Sequence, residues 1–504
     1  MRTAQRTKGR MAKVATMKTL PPPVDGLNTR DALASMKATE ARTLDNIYPF
    51  QSHVEFVGGY TEHTTSTVGW FIKTLAVYNG LNGTNTMWAL GAGGINNVTA
   101  GGTPPASALG RTQGIHQYTM FGDGTKNWLI AVNGTDDPAY YDGTTWMTVD
   151  ELTSPALTGY TGNAVEQFIN VNVFKGRLFF IPKDSLSFWY LPAGVAGGAL
   201  TEFNLAGEAP AGGYLMAMAT WTRDAGSGPD DFAVFITSAG DCIVYQGTNP
   251  SSATTWAKVG SFKVGRPLGR KCFTPYGADV LVMTEDGVFP LSGLLASGEE
   301  RAKYAFSYKV QPLVTDYAQQ YLAANGWQCI VYPKKEALIV NMPNDLSFGW
   351  DILAMNTVTK AWCKISGWLA DHYAVFNGEL YSCYGGQVWK VWDSTTENGG
   401  TRQYICQQAY STLGDPQSKH VKLIAPYLEL DADNSVSVGV GYDFIDYTGI
   451  GSTSINDDET VYRKWTMNYS HPARWLSVRL RAQTTTMSGK WLGTAITYES
   501  GEGL

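Results

Sequence analysis

Short apolar runs separated by glycine-containing turns recur between about residue 75 and residue 405. Asn-Gly and Asp-Gly steps supply the positive φ angles that a tight hairpin turn needs, and the apolar or aromatic residues beside them are typical of paired strands. The pattern therefore predicts a series of β-hairpins. Seven such units are evident, at residues 77–80, 141–146, 174–179, 237–241, 284–288, 376–381 and 384–389.

The spacing of these hairpins favours an all-β fold with a β-propeller-like body. Hairpins spread over some 330 residues, with almost no helical pattern between them, are typical of four-stranded blades. At roughly 40–50 residues per blade, the span holds six to eight blades. A pair of stacked β-sandwiches is the alternative architecture.

Other periodicities mark elements outside the hairpins. Residues 311–325 carry apolar side chains at helical spacing, with Pro312 suited to a first turn, and residues 31–42 also predict a short helix. Val436, Val438 and Val440 alternate with small polar residues, as do residues 476–481. Alternation of this kind indicates strands with one buried face, so residues 404–504 predict a small β-sandwich.

Composition agrees with a folded β-rich protein and limits its partners. The 504 residues include 55 Gly, 12% aromatics and only 16% charged residues, with a net charge of −6. Six bases and no acid lie within residues 1–20, so the remainder carries 32 Lys and Arg against 44 Asp and Glu, a net −12. Because residues 21–504 are this acidic, we do not expect them to form a surface that binds duplex DNA. The basic segment is a tail, a docking arm for an acidic partner, or a weak nucleic-acid contact.

Motifs that would carry catalysis or bind a cofactor are not evident. The chain has no H-E-x-x-H, Walker, G-x-S-x-G or EF-hand pattern, and Asp142-Gly143-Thr144-Thr145-Trp146 is one residue short of a sialidase Asp-box. The six His are scattered without an i,i+4 pair, and the six Cys show no C-x-x-C spacing, which favours reduced thiols. No apolar run reaches the length of a membrane span. We therefore expect no catalytic, cofactor or metal residues, no membrane span and no enzymatic activity.

The two ends of the chain resemble one family of proteins. The N-terminal features are Gly26-Leu27-Asn28-Thr29-Arg30-Asp31, then Ala32-Leu33-Ala34-Ser35-Met36, then Leu44-Asp45-Asn46-Ile47-Tyr48-Pro49 and Gly59-Tyr60. At the C-terminus the similarity lies in Arg474-Trp475-Leu476-Ser477-Val478-Arg479-Leu480 through Lys490-Trp491-Leu492. These strings resemble the tail hub or nozzle proteins of short-tailed bacteriophages, which are related to packaged-DNA stabilisation proteins.

The resemblance implies a domain order and a function. It implies a basic extended arm at 1–25, an N-terminal clasp at 26–64, a propeller-like body at 65–403 and a C-terminal β-sandwich or platform at 404–504. The implied protein is a structural part of the virion, assembled in the host cytoplasm into a ring, of six copies by analogy. Its implied partners are the portal and adaptor, tail fibres or spikes, and phage DNA that passes without sequence-specific binding. The alternative function is a glycan-binding or glycan-cleaving propeller.

Overall fold

The computed structural model describes residues 15–65, 69–81, 83–150, 155–160, 165–224, 229–294, 304–343, 351–431, 434–445, 452–455, 460–462, 465–466 and 472–501. The described chain is almost entirely β-structure, as the hairpin pattern predicts. Its helices are short, and none is long and apolar enough to cross a membrane. They comprise α-helices Leu291–Leu294 and Gln311–Tyr321 and 3₁₀ turns Val165–Gln167, Ala206–Glu208, Tyr308–Val310 and Pro333–Lys335.

The chain divides into two compact units. Residues 58–400 form one unit, and residues 1–57 together with 401–504 form the other. We call them the propeller unit and the sandwich unit. The segment predicted as a clasp at 26–64 contributes strands to both of them.

The strands of the propeller unit form seven small antiparallel groups in chain order, which we number blades 1 to 7. Blades 1 and 5 have three strands, and the others have four. Blade 1 comprises Ile72–Tyr78, Thr86–Gly91 and Gly94–Asn97. Blade 2 comprises Gln117–Gly122, Asn127–Val132, Ala139–Tyr141 and Trp146–Thr148. Blade 3 comprises Phe168–Phe174, Arg177–Pro182, Ser187–Tyr190 and Thr201–Asn204. Blade 4 comprises Leu215–Asp224, Pro229–Thr237, Asp241–Gly247 and Trp256–Lys263. Blade 5 comprises Phe273–Tyr276, Asp279–Thr284 and Gly287–Pro290. Blade 6 comprises Gln328–Tyr332, Ala337–Met342, Asp351–Asn356 and Trp362–Ile365. Beside blade 3, the short strand Leu157–Thr158 pairs with Gly198–Ala199.

Blade 7 closes the ring with strands from two distant parts of the sequence. Its inner strands are His372–Phe376, Glu379–Tyr384 and Gln387–Ser394, and its outer strand is Gly59–Glu62. The inner strand His372–Phe376 also packs against Ile72–Tyr78 of blade 1. The propeller therefore has seven blades, within the predicted range of six to eight, and stacked sandwiches do not describe this unit.

The predicted hairpin turns are confirmed, and their dihedral angles explain the glycines. Lys175 and Gly176 have φ of 48° and 68°, and Asn377 and Gly378 have φ of 48° and 79°. Two successive residues with positive φ define a type I′ turn, whose twist matches that of the flanking strands. All seven predicted turns connect neighbouring strands of one blade.

The sandwich unit consists of two sheets that draw on both chain ends. One sheet runs in the order Gly26–Leu27, Glu40–Asp45, Arg402–Gln408, Leu476–Thr484, Asn434–Tyr442, Ser452–Ile455. The other contains Ala15–Leu20, Ile47–Pro49, Val54–Phe56, Ser418–Leu430, Thr460–Tyr462, Trp465–Thr466 and Gly489–Gly501. The sheets meet where the ring of Phe56 packs edge-on against that of Tyr404, with ring centroids 5.4 Å apart. The predicted sandwich at 404–504 is thus completed by N-terminal strands.

The helix predicted at residues 31–42 is wrong. Asn28 Oδ1 accepts hydrogen bonds from the backbone N–H groups of Arg30 and Asp31, and residues 28–39 form turns. Residues from Glu40 onward form a strand that pairs with Gly26–Leu27 on one side and residues 405–408 on the other. Cross-strand pairing therefore prevails over the local helical spacing.

Two other predictions meet the structure in part. The helix predicted at 311–325 is confirmed but ends at Tyr321. The arm predicted at 1–25 is a strand over Ala15–Leu20, while residues 1–14 and their five bases lie outside the described residues. The alternation around Val436 to Val440 is confirmed as strand Asn434–Tyr442, and all three valines are buried.

Candidate functional site

A polar cavity lies on the axis around which the blades are arranged. Its volume is about 670 Å³, within the range of small-molecule sites. Every blade, or the segment that leads into it or out of it, contributes to the wall. One lining residue from each of blades 1 to 7, in order, is Lys73, Gln117, Lys183, Met216, Lys271, Gln328 and His372.

A second cavity of about 540 Å³ continues along the same inner strands. The two cavities share five lining residues, which we call the belt: Gln117, Arg270, Lys271, Gln328 and His372. We call the two cavities and the belt together the axial channel. The belt brings together residues from blades 2, 5, 6 and 7, which are far apart in the sequence.

Basic side chains outnumber acidic ones in the axial channel. The first cavity is lined by Lys73, Lys183, Arg266, Arg270 and Lys271, and Asp371 is the carboxylate among its described lining residues. Lys73 Nζ pairs with Asp371 at 2.8 Å, and Arg266 donates to Glu285 from Nε and Nη2 at 2.9 and 2.8 Å. Within the described chain, no ion pair involves Lys183, Arg270 or Lys271, so the channel carries excess positive charge.

Lys271 lies deepest among these cations. Its Nζ is 3.4 Å from Thr74 Oγ1, and burial lowers the pKa of the ammonium to about 7. Burial also lowers the pKa of Arg270, whose Nη1 lies 3.4 Å from the carbonyl oxygen of Asn133. Both side chains are partly buried, and neither has a carboxylate within ion-pair distance, while Asp184 acts on Arg270 from farther away, so the channel is electropositive.

Two buried histidines beside the channel act as hydrogen-bond acceptors. His372 Nδ1 accepts the backbone N–H of Leu75 at 3.1 Å, and His116 Nε2 accepts the side-chain N–H of Asn133 at 3.2 Å. Burial lowers the pKa of His116 to about 4 and that of His372 well below its usual value, and the charge of Lys271 lowers both further. Both imidazoles are therefore neutral near pH 7.

The acidic component of the channel is small. Burial raises the pKa of Asp371, an effect that the hydrogen bond from Lys73 opposes. Glycoside hydrolysis uses two carboxyl groups that flank the scissile bond. The described lining of the first cavity offers one, and it is already paired with a lysine.

The Asp-box-like segment and the cysteines have structural roles. Asp142 Oδ1 accepts the backbone N–H groups of Thr144 and Thr145, so this Asp-box-like segment is a hairpin turn. All six cysteines are free and buried. No group of three or more metal-ligating side chains occurs among the residues described.

The axial channel was not predicted from the sequence. Three of its cations, Arg266, Arg270 and Lys271, lie within one short segment, but Lys73 and Lys183 come from other blades. The signal that was available is positional: Lys73, Lys271 and His372 each lie at or just before the inner strand that opens a blade. Once the blades are assigned, these positions place Lys73, Lys271 and His372 on one axis.

Comparisons with known proteins give fold neighbours of low similarity. No protein-family model and no curated protein sequence matches the chain. An exo-β-1,3-galactanase from Phanerochaete chrysosporium aligns at 11% identity and a TM-score of 0.30, covering 77% of this chain and 97% of that one. A family 43 arabinoxylan arabinofuranohydrolase from Bacillus subtilis aligns at 8% and 0.29, covering 92% and 96%. YCF48 bound to a D1 peptide aligns at 10% and 0.35, covering 66% and 96%.

These neighbours correct one expectation. The prediction that the chain is not an enzyme is contradicted, because glycoside hydrolases stand among the solved structures that it resembles. We therefore withdraw the exclusion of enzymatic activity. At TM-scores of 0.29 to 0.35 the likeness assigns no activity or substrate to this chain.

Proposed function

We propose that this chain is a tail hub or nozzle protein of a short-tailed bacteriophage, assembled as a ring that continues the DNA channel. The observation that carries the proposal is the pairing of the two segments on which the resemblance rests. Val54 and Glu55 pair with Trp491 and Lys490, and strands Glu40–Asp45 and Leu476–Thr484 flank the same strand on its two sides. Apart from Gly59-Tyr60, which lies in blade 7, the resembling strings thus belong to the sandwich unit.

Residues of those strings make specific structural contacts, which supports the proposal that the resemblance extends from the sequence to the structure. Asn28 Nδ2 donates to Asp31 and Glu40, at 2.9 and 3.0 Å, and so fastens the turn of residues 28–39. Gly59 begins the strand that closes blade 7, where a Cβ atom would lie 1.9 Å from the carbonyl oxygen of Thr396.

In this role the protein would belong to the virion. It would contact the portal and adaptor on one side and fibres or spikes on the other, and DNA would pass the ring without sequence-specific binding. Closed rings need a head-to-tail interface between copies. The edge strand Ala15–Leu20 is a candidate, because it pairs on one side with residues 494–499 and Met17 is 59% exposed. Exposed edges with apolar residues are typical sites of chain association.

Mass measurement of the purified protein, combined with one pair of variants, tests the proposal. We expect particles at a multiple of the 54.8 kDa chain mass, six by analogy. Met17→Asp should lower the proportion of rings, because it adds charge to the edge strand. The matched control is Val358→Asp, since Val358 is 52% exposed and lies in a blade 6 turn. A protein that stays monomeric at all concentrations contradicts the ring.

The second candidate function is glycan binding or cleavage by the propeller unit. The observation in its favour is the axial cavity, which is about 670 Å³ in volume and has polar groups from all seven blades. Purified protein should then bind oligosaccharides as a monomer, or release reducing ends from them, and a Gln328→Ala substitution in the belt should weaken that interaction. Sugar binding by a monomer would favour this function over the ring.

A further inference from the structure

The axial channel contains more cations than its own carboxylates neutralise. Of the five basic residues that line the first cavity, Lys73 and Arg266 have carboxylate partners. Lys183 is exposed at the channel rim, while Arg270 and Lys271 lie in the belt. In the part of the chain that is described, these three cations have no ion-pair partner within 4 Å. Arg270 and Lys271 are partly buried and unpaired, an arrangement that favours an anion from outside the chain.

The belt also contains hydrogen-bond donors that the protein leaves unused. Gln117 lines both cavities, and its buried Nε2 has no acceptor among the described residues. Lys271 Nζ has a single long contact, to Thr74 Oγ1 at 3.4 Å, although an ammonium can donate three hydrogen bonds. Arg270 uses one N–H, toward Asn133, at 3.4 Å. Donors from blades 2 and 5 therefore converge on the channel without matching acceptors.

We propose that the axial channel binds a small oxyanion, a phosphate or carboxylate group, between Arg270, Lys271 and Gln117. The guanidinium would hold two oxygens in a planar fork, and the ammonium would act as a compact point charge. The cavity volume suits a small molecule that carries such a group, not a nucleic-acid duplex. Asp371 lies in the same wall, but its pairing with Lys73 reduces its repulsion of an anion.

This site does not depend on the tail function, and it would serve either of the two candidate functions. A phosphate ligand would favour a bound metabolite or structural anion. A sugar carboxylate would favour recognition of an acidic glycan. The two sources share the same chemistry at the belt, and the choice of probe distinguishes them.

Isothermal titration of the full chain with inorganic phosphate and, separately, with glucuronate tests the proposal, at constant ionic strength with chloride as the balancing ion. We expect saturable one-to-one binding of at least one probe. Lys271→Met should weaken it about tenfold or more, because it removes the charge and keeps the apolar stem. Arg270→Gln should act in the same direction. The control Lys126→Gln, at an exposed ion pair with Asp142 in blade 2, should bind as the wild type does.

Thermal melting separates lost binding from lost folding. Replacement of an unpartnered buried cation by an apolar side chain is often neutral or stabilising, so Lys271→Met should melt at the wild-type temperature or above it. Tighter binding of phosphate than of glucuronate assigns the first source, and the reverse order assigns the second. Absence of saturable binding of either probe at millimolar concentration, or unchanged binding in a folded Lys271→Met variant, would overturn the site.

Discussion

Asn46 Oδ1 accepts a hydrogen bond from the guanidinium of Arg402, and both residues are buried. Asn46 Nδ2 donates in turn to the carbonyl oxygen of Gln403 at 2.7 Å. Asn46 has a φ of 60°, at the point where the chain passes from strand Glu40–Asp45 of one sheet to strand Ile47–Pro49 of the other. The asparagine therefore fixes a left-handed turn and holds a buried arginine.

Asn46→Ala is expected to destabilise the sandwich unit by about 2–4 kcal/mol. The change leaves buried polar groups without a partner, at about 1–3 kcal/mol, and puts a Cβ-bearing residue without a compensating side-chain hydrogen bond in the left-handed region, at about 1 kcal/mol. Asn46→Gly keeps the turn accessible but loses the hydrogen bonds, so urea unfolding should show an intermediate loss. A glycine variant as stable as the wild type would mean that the contact with Arg402 contributes nothing.

The Gly59→Ala substitution is expected to weaken the closure of blade 7. A Cβ atom at Gly59 would lie 1.9 Å from the carbonyl oxygen of Thr396, so strand Gly59–Glu62 would have to move away from that segment. We expect a lower melting temperature and faster proteolysis of the propeller unit. Gly207 is the matched control, because an added Cβ there meets nothing within 4 Å. Equal behaviour of Gly59→Ala and Gly207→Ala would contradict this account of the closing strand.

Apolar residues near the N-terminus are expected to contribute strongly to stability. Leu27, Leu44, Ile47, Tyr48 and Met36 are buried, while Leu33 is only half-buried. Leu44→Ala should cost about 2–5 kcal/mol, the usual range for a buried leucine. Lys37→Ala should stay within about 0.5 kcal/mol, because its side chain is exposed. Similar and negligible losses in both variants would show that this segment is not packed.

Acid is expected to destabilise the propeller unit through His372 and His116. Each has a pKa lowered by folding, so the unfolded chain binds the proton more readily, and stability present at neutral pH is lost as pH falls through about 6.5. Well below that pH each contributes up to about 1.4 kcal/mol per pH unit. The titratable and charged groups near His372 are Lys271, Cys383 and the Lys73–Asp371 pair.

The contribution of His372 can be isolated by a variant that keeps its acceptor. His372→Asn places a carbonyl oxygen near the position of Nδ1 and cannot become charged, so its denaturation midpoint should fall less between about pH 7 and about pH 5. Lys271, with a pKa of about 7, also takes up a proton near the upper end of this window in the folded protein, but it does so in the wild type and the variant alike, so the difference between them reports His372. An identical pH dependence in the variant and the wild type would contradict the neutral His372.

The sequence predicted local geometry better than it predicted the site. Asn377-Gly378 and similar turns dictate hairpins on their own, because the φ angles they allow are those of the turn, so the all-β fold and the range of blades followed. The prediction of a helix at 31–42 is wrong because strand Glu40–Asp45 pairs with the strand at residues 402–408, which lies more than 350 positions away in the sequence.

Two glycines of blade 1 leave room for a tryptophan ring. Gly91 and Gly93 lie within or beside the turn of a blade 1 hairpin, where an added Cβ would meet the ring of Trp70 at 2.3 and 2.5 Å. Glycine is needed there because the indole packs against the backbone. The axial channel could not be predicted either, since its charges come together only when the ring of blades closes.

Electron microscopy of the purified full-length protein tests the central proposal most directly. The account predicts closed rings with rotational symmetry, built from copies of the 54.8 kDa chain, six by analogy. Single propeller-sized particles at every protein concentration, with no rings in any view, would contradict the assignment to a tail hub or nozzle.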